Sequence, residues 1–306
     1  MSITVLEPGP LTTVQDAGAL WGKPETAAVL ECTLCGAALR FEEDAVFALT
    51  GADSRATLDG VPVPFYAPLY AKAGSVLRMG AVLTGLRSYL AVGGGIATPS
   101  VLGSRSTDVK CHIGGLAGRR LQKGDTLPTG ACDAKALWQR ITARQLNRPL
   151  KDKLVCVGTH PMREQGAKCL PLLRAVPGPQ QDAFSDAARQ AFTRSIYTLT
   201  PDCDRMACKL AGAKIEAVRG VDILSDGIAA GSVQVSANGQ PIVMLADHQT
   251  TGGYAKIATV ISADLPALAQ LRPGQEVCFG FVTPQQGVAA ARRQAEMLQR
   301  VAARLR

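Results

Sequence analysis

The 306-residue chain predicts a β-rich protein, mainly β with a few helices, built as two related domains. Three observations predict it. Apolar stretches are short and broken by frequent glycine and proline turns, long helical periods are few, and three turn markers recur in the same order in the two halves. With 47% hydrophobic residues, a chain of this length can bury two cores, each most simply a barrel or sandwich with one or two helices.

The first marker is Val5-Leu6-Glu7-Pro8-Gly9-Pro10, which returns as Ala175-Val176-Pro177-Gly178-Pro179 with one residue fewer before the turn. After it the first copy runs quickly through Gln15-Asp16-Ala17-Gly18 to Glu31, so a segment is expected to be absent near Ala19-Leu20. The second copy has a predicted helix there. Ser185 is its N-cap, and Phe184, Ala188, Ala191 and Phe192 share one face. The second marker is a hairpin turn between β-formers, Asp59-Gly60 in one half and Asn238-Gly239 in the other. The third is Lys72-Ala73-Gly74 before Val76-Leu77-Arg78, matched by Arg272-Pro273-Gly274 before Val277-Cys278-Phe279.

These markers set the expected organisation: a first domain over 1–131, a basic and irregular linker region over 132–171, and a second domain over 172–284 that carries the main site. A C-terminal amphipathic helix over 285–306 follows, with Val288, Ala291, Ala295, Leu298, Val301 and Leu305 as its apolar stripe. Between the Asn238-Gly239 turn and the Gly274 turn, the second copy carries roughly twenty extra residues.

The net charge of +8 is concentrated in two stretches, the linker and the tail, where Arg292, Arg293, Arg300, Arg304 and Arg306 face only Glu296. Neither interleaves aromatics for base stacking, so a solvated basic face is expected and no nucleic-acid partner. No apolar run approaches the roughly 18 residues needed to span a bilayer, and Met1-Ser2-Ile3-Thr4-Val5 lacks a basic region followed by an apolar stretch, so no signal peptide is expected. No membrane partner is expected, and the cytoplasm is the expected location. Nine cysteines, an odd number in apolar contexts, suit reduced thiols. Cys32 and Cys35 have metal or redox spacing, but no second pair follows and His112, His160 and His248 stand alone, so no metal is expected.

The densest functional stretch lies within the extra residues of the second copy. Ala246-Asp247-His248-Gln249-Thr250-Thr251-Gly252-Gly253-Tyr254-Ala255-Lys256-Ile257-Ala258 puts a carboxylate, amide, hydroxyls, phenol and amine between two apolar runs. It reads as a polar loop held by strands. The bland alternative is a structural turn with an exposed lysine.

Together with this stretch, four others carry a resemblance: Pro10-Leu11-Thr12-Thr13-Val14-Gln15-Asp16, Leu49-Thr50-Gly51-Ala52, Ser88-Tyr89-Leu90-Ala91-Val92-Gly93-Gly94-Gly95-Ile96 and Leu102-Gly103-Ser104-Arg105-Ser106-Thr107-Asp108. From Val5 to about Val282 the chain resembles the biotin-dependent carboxyltransferase family, also called allophanate hydrolase subunit 2. That family includes C subunits of prokaryotic 5-oxoprolinases, antagonists of kinase-inhibitor proteins and the carboxyltransferase region of urea carboxylase. The resemblance implies two cyclophilin-like β-barrel domains. For a stand-alone chain of this length it implies the C-subunit role: ATP-dependent opening of 5-oxo-L-proline to L-glutamate together with subunits A and B, a kinase-inhibitor-like and a lactam-utilisation-like protein. The sequence lacks G-x-x-x-x-G-K-[ST], so ATP is expected on a partner protein or shared with one. The alternatives are biotin-dependent carboxyl transfer to urea or a related amide, with the biotin on a partner, and a non-catalytic antagonist of a kinase-inhibitor protein. The sequence departs from the family pattern after Gln15-Asp16-Ala17-Gly18, at Ala207-Cys208-Lys209 where Gly-Tyr-Arg is usual, at His248 and at Ala255.

Lactam opening and carboxyl transfer draw on one inventory of groups. The candidate catalytic residues are Lys256 for positive charge, Tyr254 as a hydrogen-bond donor, and Asp247 and Asp226 as general base or orienting groups. The candidate substrate-binding residues are Gln249, Thr250, Thr251, Gly252, Gly253, Gln234 and Arg205. Gly252-Gly253 can bring backbone N–H groups to an oxyanion, and the glutamines can hold an amide. Against these roles, Asp226-Gly227 also reads as a turn, and Arg205 also reads as the partner of a neighbouring acid.

Overall fold

The computed structural model describes residues 2–16, 27–149, 161–165 and 168–305. It divides into two compact units, Met1–Val157 with Arg304–Arg306, and Gly158–Ala303. The position near Ala19-Leu20, where a segment is expected to be absent, lies outside the described residues, as does His160.

The first unit contains β1 (Ser2–Glu7), β2 (Thr12–Asp16), β3 (Ala28–Thr33), β4 (Ala38–Phe41), β5 (Ala45–Gly51), β6 (Thr57–Leu58), β7 (Val61–Pro62), β8 (Pro68–Ala71), β9 (Val76–Arg78), β10 (Arg87–Val92), β11 (Thr126–Pro128) and α1 (Ala134–Ala143). The strands form two sheets, β11-β1-β4-β9-β6-β7 and β2-β3-β10-β5-β8. Alternation on β1 sends Ile3 and Val5 inward to a core that includes Leu30, Leu39, Phe41, Phe47, Leu77 and Leu90. Phe41 and Phe47 meet there with ring centroids 5.1 Å apart.

The second unit contains β12 (Met162–Gln165), β13 (Lys168–Pro177), α2 (Asp186–Arg194), β14 (Ile196–Cys203), β15 (Ala207–Gly212), β16 (Asp222–Gly227), β17 (Ser232–Val235), β18 (Pro241–Met244), β19 (Thr251–Tyr254), β20 (Lys256–Val260), α3 (Leu265–Leu268), β21 (Glu276–Phe281) and α4 (Pro284–Leu305). Seven strands run in the order β13-β20-β17-β18-β15-β14-β21, and parallel pairing of β13 with β21 closes them into a barrel. Closure removes the open edges that a sheet would otherwise expose. The strand β12 adds outside β13, and β16 and β19 form a separate two-stranded ribbon. The barrel core holds stacked Phe192 and Phe279, 4.5 Å apart, with Tyr197 edge-on to Phe279 at 5.7 Å. Phe192 comes from α2, whose N-cap is Ser185, accepting a hydrogen bond from the Ala188 N–H.

The recurring markers take matching roles. Both hairpin turns, β6–β7 and β17–β18, end on a glycine in the left-handed region, Gly60 at φ 83° and Gly239 at φ 79°. Gly74 and Gly274, which precede β9 and β21, have φ 84° and 85°. Two expectations differ from the structure. The stretch 132–171 is partly regular, because Asp133 caps α1 through the Ala136 N–H and β12 pairs with the start of β13. The buried stripe of α4 begins at Gly287 and Ala290, whereas Val288 is 53% exposed. Small residues decide that phase: a side chain at 287 would press on Ile261, 3.0 Å from its Cγ2.

Candidate functional site

The second unit gathers a polar cluster where the ribbon meets the barrel. Lys256 opens β20, and its cross-strand partner on β17 is Gln234. The lysine side chain is 2% exposed, against the sequence alternative of a solvated amine, and Gln234 is also buried. Removing an ammonium from water costs several kcal/mol unless partners compensate. Here Nζ donates to Asp226 Oδ2 at 2.7 Å and to the Gly227 carbonyl at 3.0 Å.

Asp226 is carried to Lys256 by the ribbon. Asp226 lies opposite Gly252, Gly227 opposite Thr251, and the Ile228 N–H donates to the Thr250 carbonyl. The stretch read as a loop is thus half strand, since Thr251–Tyr254 is β19. At Gly252 a Cβ would lie 2.6 Å from Ile228 Cδ1 and 2.7 Å from Gln234 Nε2, so a side chain there would displace the tips of both. Ribbon and barrel approach closely there because the side chain is absent.

A further amide joins the group that the sequence did not single out. Gln180 Nε2 donates to Asp226 Oδ2 at 3.1 Å, and Gln180 Oε1 accepts the Lys256 N–H at 3.2 Å. Gln180 follows the Pro177-Gly178-Pro179 turn, and a Cβ on Gly178 would overlap the Lys256 carbonyl. That repeated turn was the available signal, since it passes against the strand bearing the lysine. The Lys256 ammonium, the Gln180 amide and the Gly227 N–H together hold the Asp226 carboxyl below its usual range, while its side chain remains 51% exposed. Asp226 is therefore an ionised acceptor at neutral pH, facing solvent on one side and a buried cation on the other.

Other sequence candidates are arranged differently. Asp247 and Arg205 pair with each other, Arg205 Nε to Oδ2 at 2.9 Å and Nη2 to Oδ1 at 3.2 Å, and the Asp247 N–H donates to the Arg205 carbonyl. This bidentate contact engages both oxygens of Asp247 and is the ion pair that the sequence offered as the alternative to a substrate contact for Arg205. Tyr254 enters through its backbone: its carbonyl accepts from Gln234 Nε2 at 3.3 Å, and its ring packs on the barrel core. Gly253 is the next ribbon residue, Thr250 and Thr251 are exposed at its end, and the Gln249 carbonyl contacts His248 Nδ1 at 2.7 Å. Among the described residues, no group of three or more His, Cys, Asp or Glu side chains is placed to hold a metal ion.

The first unit has its own polar knot, made from two quoted stretches. Asp16 Oδ2 accepts from Ser104 Oγ at 2.9 Å and the Arg105 N–H at 3.0 Å, while Gln15 Nε2 donates to Thr13 Oγ1 and the Thr107 carbonyl.

Known proteins resemble this chain over most of its length. The family model for the carboxyltransferase domain, subdomain A and B, matches residues 11–281. The chain is 39% identical over 292 residues to the 5-oxoprolinase C subunit of Escherichia coli K12, covering 94% of this chain and 86% of that protein. It is 36% identical over 274 residues to the 5-oxoprolinase C subunit of Haemophilus influenzae, covering 90% and 81%. Urea amidolyase of Saccharomyces cerevisiae is 26% identical over 281 residues, 86% of this chain and 14% of that protein. Among solved structures, K. lactis urea amidolyase superposes with a TM-score of 0.76 at 23% identity, over 96% of this chain and 20% of that one. TTHA0988 superposes with a TM-score of 0.71 at 30% identity, over 91% and 55%. The chain thus spans a fifth and about half of those two structures. On the match over residues 11–281 and the two relatives above 30% identity, the chain belongs to the carboxyltransferase-domain family, subdomain A and B.

Proposed function

We propose that this chain is the C subunit of an ATP-dependent 5-oxoprolinase, opening 5-oxo-L-proline to L-glutamate together with subunits A and B. The observation that carries the reading is the buried Lys256 ammonium, held by the half-exposed Asp226. Support comes also from the two relatives named as 5-oxoprolinase C subunits. Lactam opening adds water across the C–N bond, oxygen to the carbonyl carbon and a proton to the leaving nitrogen. A fixed cation lowers the cost of charge developing on the carbonyl oxygen, which is the role proposed for Lys256. Asp226, kept ionised, accepts a proton or orients water, and Gln180 and Gln234 offer amides to a cyclic amide. The cluster does not fit a triphosphate, because the ionised, half-exposed Asp226 carboxylate beside the Lys256 ammonium leaves the pair with no net positive charge for several phosphates. ATP is accordingly assigned to a partner protein or to a site shared with one, and no step is drawn through it.

The test is glutamate release from 5-oxoproline by the reconstituted three-protein assembly, with and without ATP, omitting each protein in turn. ATP-dependent release that disappears without this chain is the expected result. An assembled complex that releases none would overturn the proposal. The second reading, biotin-dependent carboxyl transfer to urea or a related amide, is favoured by the family's carboxyltransferase description and by the urea amidolyase relative. It requires a biotinylated partner and a carboxylated product in place of glutamate.

A further inference from the structure

Two thiols flank the turn of the hairpin that grips the site segment. On β14 and β15, Cys203 and Cys208 are directly opposed Cα partners. Opposed residues of an antiparallel pair have Cα atoms about 4.5–5.5 Å apart, inside the roughly 4.4–6.8 Å that a disulfide spans. Between them, Asp204 Oδ1 accepts the N–H groups of Met206 at 2.7 Å and Ala207 at 3.1 Å, which shapes the turn. That turn holds the start of the site segment. The Arg205 carbonyl accepts the Asp247 N–H, the Met206 carbonyl accepts the Leu245 N–H, and the Arg205 guanidinium clasps Asp247.

The two sulfurs differ in access. Cys208 is 4% exposed, whereas Cys203 is half-buried and its Sγ donates to the Lys209 carbonyl at 3.6 Å. A hydrogen bond from Cys208 draws the Cys203 thiol below the ordinary cysteine range, against the opposing effects of burial and the Asp204 charge. The more reachable sulfur is therefore the better nucleophile, and a resolving thiol faces it.

We propose that Cys203 and Cys208 are an oxidation site, a thiol pair that a hydroperoxide converts to a cross-strand disulfide, locking the hairpin that holds Leu245 and Asp247. The Cys203 thiolate attacks one peroxide oxygen, the O–O bond breaks, and water or an alcohol leaves, so that Cys203 becomes a sulfenic acid. The Cys208 sulfur then attacks the Cys203 sulfur, the S–O bond breaks, and a second water leaves. Two thiols are oxidised by two electrons and the peroxide is reduced. A dithiol reverses the change by exchange.

The experiment treats the folded full-length chain with hydrogen peroxide, blocks free thiols and digests with trypsin without reduction. Cleavage after Arg194, Arg205 and Lys209 places the cysteines on separate peptides, 195–205 and 206–209. A disulfide joins them, and a reductant separates them. Exposed Cys111 is the internal comparison, because Asp108 holds its thiol above the ordinary value. In the reduced protein at pH 7, iodoacetamide should label Cys203 roughly tenfold faster than Cys111. In Cys208→Ser, the linked peptide should vanish and a 1,3-diketone should trap Cys203 as its sulfenic acid. Hydrogen exchange at the Leu245 and Asp247 amides should slow in the oxidised form. Oxidation of Cys111 with no linked 195–205 and 206–209 peptides would overturn the oxidation site, and unchanged exchange would overturn the lock.

Discussion

Lys256→Met separates a catalytic from a structural lysine. Methionine preserves most of the stem volume in a slot that is 2% exposed, and removes the ammonium with its bonds to Asp226 and the Gly227 carbonyl. The charge-assisted bond to the Gly227 carbonyl is worth about 1.5–3 kcal/mol. Pairing with Asp226 is weakened by water, because that carboxylate is half exposed and can rehydrate. Opposing both losses is relief from burying an ammonium, which costs several kcal/mol. These terms nearly cancel, so stability should change by less than about 2 kcal/mol and Tm by no more than about 8 °C. Activity should not show this cancellation. If Nζ stabilises charge that develops only in the transition state, its loss should lower kcat by about 10²–10³-fold. The assay is glutamate release by the assembled complex, with calorimetry on the same preparation. Activity within about threefold of the parent, in an intact complex of unchanged Tm, would refute the reasoning.

Three further outcomes follow from other contacts. Burial raises the Cys32 thiol from 9.0 to about 11, so the unfolded chain releases this proton first as pH rises. Stability present below pH 9 should fall by about 2–3 kcal/mol between pH 9 and 11, and Cys32→Ala should flatten that slope in denaturant titrations. Asp264 is 1% exposed and takes three donors from Arg174, its N–H, Nε and Nη2, so Asp264→Ala should cost about 3 kcal/mol and lower the Tm of the second unit by about 6–12 °C in calorimetry. Asp226→Asn should accelerate hydrogen exchange across 222–227 and 251–254 several-fold while leaving β17 and β20 unchanged; equal acceleration in barrel and ribbon would contradict the arrangement.

What the sequence made legible was local. The Asp59-Gly60 and Asn238-Gly239 turns, the Ser185 cap and the polar density around Lys256 each depend on residues a few positions apart, where turn and capping chemistry act. The pairing of β16 with β19 was not legible, because β16 alternates no apolar pattern and exposes Leu224 at 94%. Gln180 meets Lys256 across 76 residues, through barrel register that no local signal encodes. Arg205 with Asp247 illustrates the middle case. The sequence offered both a substrate contact and an ion pair for Arg205, and only the folded hairpin selects the pair.

The same register determines how the cluster can work. Lys256 belongs to the barrel, fixed on β20 opposite Gln234, whereas Asp226 belongs to the ribbon. A two-stranded ribbon is marginal alone, so its position depends on what ties it to the barrel. One tie is the Lys256–Asp226 pair, bridged by Gln180. An anionic or carbonyl ligand that engages Nζ competes with Asp226 for that cation and thereby weakens the tie. Occupancy and ribbon position are then linked, and linkage is reciprocal: whatever holds the ribbon down opposes binding at Lys256 to the same extent. Removing the Asp226 charge should therefore free the ribbon and tighten binding of an anion in one step, two effects of a single contact.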